Sequence, residues 1–226
     1  MISLPIPELA PGSERRVAVP LFLAAPAFVV FPPLGVVLVA VALFSVYFYR
    51  DPEREPAGEG IVSPADGHVS VIREDGDRVR VGVFMSPFDV HVCRAPADGA
   101  VTRLDHRGAA HKPAFVKDSE RNERFEYTLD AAGDEAEEGG EAEDDARDSD
   151  AGATRVDGAL IAGWFARRIT PYVSPGDSVT RGERIGYIAF GSRADVVLPA
   201  GYTVEDVRVS RGEAVRAGES VLARRD

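Results

Sequence analysis

The sequence predicts a mainly β protein behind an N-terminal hydrophobic helical hairpin. Val17 through Tyr49 carries no charged residue, and from about residue 58 onward short β-favouring runs alternate with Gly, Pro and Asp turns. There is also an internal echo: Gly176-Asp-Ser-Val-Thr-Arg-Gly-Glu183 and Gly212-Glu-Ala-Val-Arg-Ala-Gly-Glu219 share one spacing, and apolar residues follow each. Residues 1–56 read as an N-terminal membrane-associated segment and 57–226 as one β domain.

A single helix over the uncharged stretch would be long enough to cross a bilayer, for which roughly 20 residues suffice. Phe31-Pro-Pro-Leu-Gly35 breaks it. The expectation is two apolar segments of roughly 15 residues each, short for a full span and suited to shallow or re-entrant insertion. Arg15 and Arg16 precede the pair and Arg50 and Arg54 follow it, so the positive-inside tendency places both ends and the β domain on the cytoplasmic face of the cell membrane. The stretch is too long for a signal peptide, and no small-residue cleavage site precedes Tyr49.

In the β region Pro-Ala-Asp-Gly occurs twice, at Pro64–Gly67 and Pro96–Gly99, alongside the G-x-x-V-x-x-G-E echo. Such doubling resembles the barrel-sandwich arrangement of biotinyl and lipoyl domains. A carrier domain of that kind needs an acceptor lysine on a hairpin turn. Lys112 and Lys117 are the only lysines, neither lies between the repeats, and Phe190-Gly-Ser-Arg193 stands where one would be sought. A membrane-tethered, non-catalytic adaptor is the alternative to an enzyme.

The chain carries a net charge of −11, with 37 acidic residues against 26 lysines and arginines. Nucleic acid is excluded as a partner on that balance. Asp130 to Asp150 holds almost all of the surplus in a Gly/Ala/acid-rich run that cannot build a core, so a solvated acidic insertion is expected at about 130–152. Acidic bias with scarce lysine suggests a halophilic cytoplasm. One cysteine, Cys93, permits no internal disulfide, and no His/Cys/Asp cluster has metal-ligand spacing.

Three separated residues carry candidate chemistry. Gly191-Ser192 interrupts two β-strands, a position from which a hydroxyl could attack the preceding backbone carbonyl. His91 lies in the β-forming run Val83–Pro96, and Asp66 in a turn after a strand. Nucleophile, base and orienting carboxylate assemble by geometry rather than chain order. Judged by motif alone, Asp98 in the second Pro-Ala-Asp-Gly serves as well as Asp66, and Cys93 is a further nucleophile candidate. His106 and His111 read as loop residues or headgroup contacts.

Five stretches occur in one order: Phe48-Tyr-Arg-Asp-Pro52, Ser63-Pro-Ala-Asp-Gly67, Phe84-Met-Ser-Pro-Phe-Asp-Val-His-Val92, Glu120-Arg-Asn-Glu-Arg124 and Gly182-Glu-Arg-Ile-Gly-Tyr-Ile-Ala-Phe-Gly-Ser-Arg193. Together they resemble the pyruvoyl-dependent phosphatidylserine decarboxylase proenzymes, in particular their short archaeal-type form, the archaetidylserine decarboxylases. The resemblance implies self-cleavage between Gly191 and Ser192 into chains 1–191 and 192–226, which stay together as a heterodimer and could build a higher oligomer. Ser192 would become a covalent pyruvoyl cofactor that forms a Schiff base with the amine of a membrane phospholipid's serine headgroup as carbon dioxide leaves. It also implies His91 as base and acid and Asp66, favoured by family position over Asp98, as its orienter. Arg94 stands where longer bacterial members carry a second histidine. Lys112, Lys117, Arg121 and Arg124 are the candidates for holding the lipid phosphate.

Overall fold

The two predicted apolar segments are helices α1 (Glu14–Val30) and α2 (Pro32–Phe48), separated by the single extended residue Phe31. The computed structural model describes residues 8–107, 123–131, 154–163, 169–188 and 192–225, so the expected acidic insertion lies outside the described residues except for 130 and 131, which end a strand. Pro20 and Pro26 lie inside α1, whereas Pro32 and Pro33 open α2, where a missing N–H removes no helical hydrogen bond. Gly35 lets the helices close on each other, because a Cβ there would meet the Phe28 ring at 2.5 Å. Each helix has 17 residues, about 25 Å at 1.5 Å per residue, and no described helix is long and apolar enough to cross a membrane.

Thirteen strands follow: β1 (Ile61–Val62), β2 (Gly67–Asp75), β3 (Arg78–Met85), β4 (Val92–Arg94), β5 (Gly99–Arg107), β6 (Arg124–Ala131), β7 (Thr154–Ile161), β8 (Ile169–Pro171), β9 (Ser178–Val179), β10 (Arg184–Ile188), β11 (Ser192–Val197), β12 (Ala214–Val215) and β13 (Val221–Ala223). Eight form one curled antiparallel sheet in the order β12-β2-β3-β11-β7-β6-β5-β9. A three-stranded sheet, β4-β10-β8, and the pair β1-β13 complete the expected barrel-sandwich architecture. Alternate positions of the large sheet, among them Val81, Val83, Leu129, Leu160, Ala194 and Val196, fill the core.

The two repeats are clasped by the two Pro-Ala-Asp-Gly turns through matching hydrogen bonds. Asp66 Oδ1 accepts from the Ala217 N–H at 2.8 Å, and Asp98 Oδ1 from the Arg181 N–H at 2.8 Å. The backbone repeats the pattern: Val62 N–H donates to Pro96 O and Arg94 N–H to Pro64 O, both at 2.9 Å. Likewise Gly212 N–H reaches Val69 O at 2.7 Å and Gly176 N–H reaches Val101 O at 2.8 Å. The repeats meet where Gly218, at φ +73°, lies so close to Gly182 that a Cβ would sit 3.2 Å from its Cα.

A buried ion pair ties the hairpin to this framework. Asp51, just after α2, accepts from Arg94 Nη2 at 2.8 Å and also pairs with Arg184. Arg94 further donates to the carbonyls of Pro52 (2.8 Å) and Gly182 (2.9 Å), so the residue at the variable histidine position holds the linker and the repeats. Asp51→Ala strips the carboxylate from a buried guanidinium. It is expected to lower the unfolding free energy by about 3–5 kcal/mol, read by denaturant titration.

Candidate active site

Strand β11 begins at Ser192, which is fully buried in register with Met85 of β3, its hydroxyl 3.9 Å from the Met85 sulfur. His91 immediately precedes β4 and is also buried. The two are joined through β10, because the Ile188 N–H donates to the His91 carbonyl at 3.1 Å. Ile188 stands four positions before Ser192, so the intervening chain can separate them by at most about 14 Å. The chain that leads to Ser192 is thus anchored to the His91 carbonyl four positions earlier, while residues 189–191 lie outside the described residues.

The imidazole is held on one side only. Nδ1 lies 2.9 Å from the Asp89 carbonyl, an acceptor, so in the neutral ring Nδ1 carries the proton and Nε2 carries the free lone pair. Nε2 is buried without a hydrogen-bond partner among the described residues. The Phe48 ring packs on the imidazole at a centroid distance of 4.3 Å. Burial pushes the His91 pKa from 6.5 down to about 4, with Arg50 pushing the same way and the Asp89 contact opposing. The ring is therefore neutral at physiological pH with its lone pair available.

Asp66 lies close by but is engaged elsewhere. Its carboxylate takes Arg54 Nη2 at 2.9 and 3.2 Å as well as the Ala217 N–H, and burial raises its pKa. The contact that orients His91 comes from the Asp89 carbonyl rather than from Asp66. Asp98 makes the equivalent backbone contact at an exposed position, so the two motifs share a structural task and differ in burial. Cys93 is fully buried, and burial pushes its thiol far above the usual range, which keeps it protonated.

Of the phosphate candidates, Arg124 opens β6 and pairs with Glu126 at 3.2 Å, while Lys112, Lys117 and Arg121 lie outside the described residues, as does His111. His106 contacts Glu123 at 2.9 Å. Among the described residues no group of three His, Cys, Asp or Glu side chains could hold a metal ion. Sequence reasoning missed Asp89, whose carbonyl holds His91, and Phe48, which covers the ring. Their signal lay in the Phe48–Pro52 and Phe84–Val92 stretches, whose side-chain lettering gives no sign of a backbone acceptor.

A family model described as phosphatidylserine decarboxylase matches residues 41–139 and 146–223. The chain belongs to the phosphatidylserine decarboxylase family. Members are carboxy-lyases, which sets aside the non-catalytic adaptor. A Halobacterium salinarum protein provisionally named archaetidylserine decarboxylase proenzyme is 49% identical over 198 residues, covering 85% of this chain and 86% of that one. A phosphatidylserine decarboxylase proenzyme of Thermobifida fusca is 44% identical over 192 residues, 84% and 78% of the two chains. An Archaeoglobus fulgidus protein, also provisionally named archaetidylserine decarboxylase proenzyme, is 39% identical over 209 residues, 92% of each.

In this family member the unfolded chain binds a proton at His91 below its ordinary pKa of 6.5, whereas the folded chain resists until about pH 4. His91 consequently lowers folded-state stability as pH falls through that window. NMR titration of the His91 ring in the full-length chain should give a midpoint near 4. A midpoint near 6.5 would contradict the burial argument.

Proposed function

We propose that this chain is a self-processing decarboxylase that cuts itself between Gly191 and Ser192 and converts a serine-headgroup phospholipid to the ethanolamine phospholipid and carbon dioxide. The observation that carries this reading is the buried, neutral His91 with an Nε2 unpartnered among the described residues, its carbonyl bonded to β10 four positions before Ser192. A hydroxyl is a poor nucleophile until a base takes its proton, and this lone pair is suited to do so.

The Ser192 Oγ proton passes to His91 Nε2 as the oxygen attacks the Gly191 carbonyl. The Gly191–Ser192 C–N bond breaks, the nitrogen takes a proton, and an ester joins the two chains. Loss of the Ser192 Cα proton then expels the Gly191 carboxylate, and water replaces the residue's nitrogen, released as ammonia, with a ketone oxygen. In the uncut chain the Ser192 position is fully buried against Met85. Once formed, the pyruvoyl group supplies an electron sink for decarboxylation of a bound amine. His91 Nε2 is the proton carrier we assign to the substrate carbon.

Asp66 and Arg54 hold the second repeat behind the site. For the lipid phosphate we assign Lys112, Lys117, Arg121 and Arg124. Relatives named for archaetidylserine and for phosphatidylserine support both headgroup lipids as substrates. The lipid surface falls to the hairpin, where Phe22, Val29 and Val30 are each at least 80% exposed, with the β domain on the cytoplasmic side set by the flanking arginines.

Intact mass decides the reading. Wild-type protein made in a high-salt host should appear as chains 1–191 and 192–226, the smaller with a blocked N-terminus, and should release carbon dioxide from phosphatidylserine or archaetidylserine vesicles. Ser192→Ala should give one full-length chain with no release. An uncut wild-type chain that still turns over lipid would overturn the proposal.

A further inference from the structure

The stretch Tyr47–Arg50 ends the apolar hairpin, and nothing in the cleavage chemistry above uses the side chains of Tyr47 and Arg50. They converge on one atom. Arg50 Nη2 donates to the Phe88 carbonyl at 2.8 Å, and the Tyr47 hydroxyl donates to the same oxygen at 3.0 Å, which fills both of its lone pairs. Arg50 Nη1 returns to the Tyr47 carbonyl at 2.6 Å, and the guanidinium lies over the Tyr47 ring at 4.0 Å, so the two side chains brace each other.

The clamped peptide is one residue from the His91 contact. Asp89 follows Phe88, and its carbonyl takes the Nδ1 proton of His91. Beside the clamp, the loop is held by its own turn, in which the Asp89 carboxylate accepts the Ser86 N–H at 2.7 Å and the Asp89 N–H reaches Ser86 O at 3.1 Å, and after Asp89 by buried Val90 and the His91 carbonyl's bond from Ile188. The Phe88 side chain is 66% exposed and cannot seat the loop by burial. At Phe88 itself, the hold on the loop comes from the hairpin.

We propose that Arg50, braced by Tyr47, is a positioning residue for His91. From the end of the hairpin it fixes the loop whose Asp89 carbonyl keeps the ring proton on Nδ1 and the lone pair on Nε2. The hairpin is then a working part of the active site in addition to any contact it makes with lipid. This inference rests on the self-cleavage reading.

The charged and titratable groups around His91 are Asp89 in its own loop, Arg50 from the hairpin, Asp66 in the turn after β1 with its partner Arg54 from the linker before β1, and the protonated Cys93 in β4. Arg50 opposes protonation of His91, and Asp89 favours it. Without Arg50 the ring gains proton affinity and loses its fixed tautomer, two changes that a structural role elsewhere would not produce together.

The test is the time course of self-cleavage of the full chain by intact mass from pH 4 to 8, with the melting temperature measured in parallel. Arg50→Ala should slow cleavage at pH 7 by about 100-fold, the usual cost of a small misplacement at a reacting centre. Its acid limb should move up from about 4. Arg50→Lys should restore the acid limb and only part of the rate, and Tyr47→Phe should slow cleavage less than Arg50→Ala, without moving the limb. Wild-type rate and acid limb in Arg50→Ala would overturn the proposal, as would slowing that follows the melting temperature alone. If the wild-type chain never cuts, the self-cleavage reading fails. The positioning role is then decided by ring 15N shifts of His91 in Ser192→Ala chains with and without Arg50→Ala: loss of the Nδ1–H tautomer supports it, and an unchanged tautomer overturns it.

Discussion

Burying an imidazole costs free energy unless both ring nitrogens find partners, and His91 satisfies one of them. The Asp89 carbonyl takes Nδ1, the Phe48 ring covers a face, and Nε2 is left unpartnered among the described residues. A buried polar atom without a partner is unfavourable by about 1–3 kcal/mol, so its presence suggests a use outside folding. The same burial keeps the ring neutral, which is the protonation state a base must start from. Stability is given up at this position in the form that proton transfer requires.

The rest of the architecture ties that residue to the strand that leads into β11. Strand β10 docks on the His91 carbonyl through Ile188 and passes directly into the segment before Ser192. Tyr187 of β10 packs with Phe48, Tyr49, Val90 and Val92 in a small apolar cluster, so the hairpin, the two residues flanking His91 and β10 share one packing unit. Behind it, Asp51 and Arg94 fasten the linker to the meeting point of the two repeats. An apolar hairpin fastened this firmly to a buried base is suited to an enzyme whose substrate arrives from a lipid surface.

Much of the fold was legible because it rests on local rules. Phe31-Pro32-Pro33 parts the helices where proline cannot continue one, and the G-x-x-V-x-x-G-E echo matches two structural repeats. The site was legible only in part. Ser192 and His91 stand out by residue type, but the choice between Asp66 and Asp98 could not come from motif, because both carboxylates cap a repeat in the same way and differ in burial and in the Arg54 pair that Asp66 makes. The contacts that set the state of His91 were hidden for a different reason: they end on the carbonyls of Phe88 and Asp89, and a backbone acceptor leaves no mark in the sequence.

The most direct test of the account is the fraction of chain cut in a folded His91→Ala protein at neutral pH, read by intact mass against wild type. Loss of a positioned general base should slow cleavage by about 100- to 10,000-fold and leave the chain full length on the time scale of purification. Complete cleavage at the wild-type rate in a variant that retains its fold would contradict the claim that the buried neutral histidine takes the proton from Ser192.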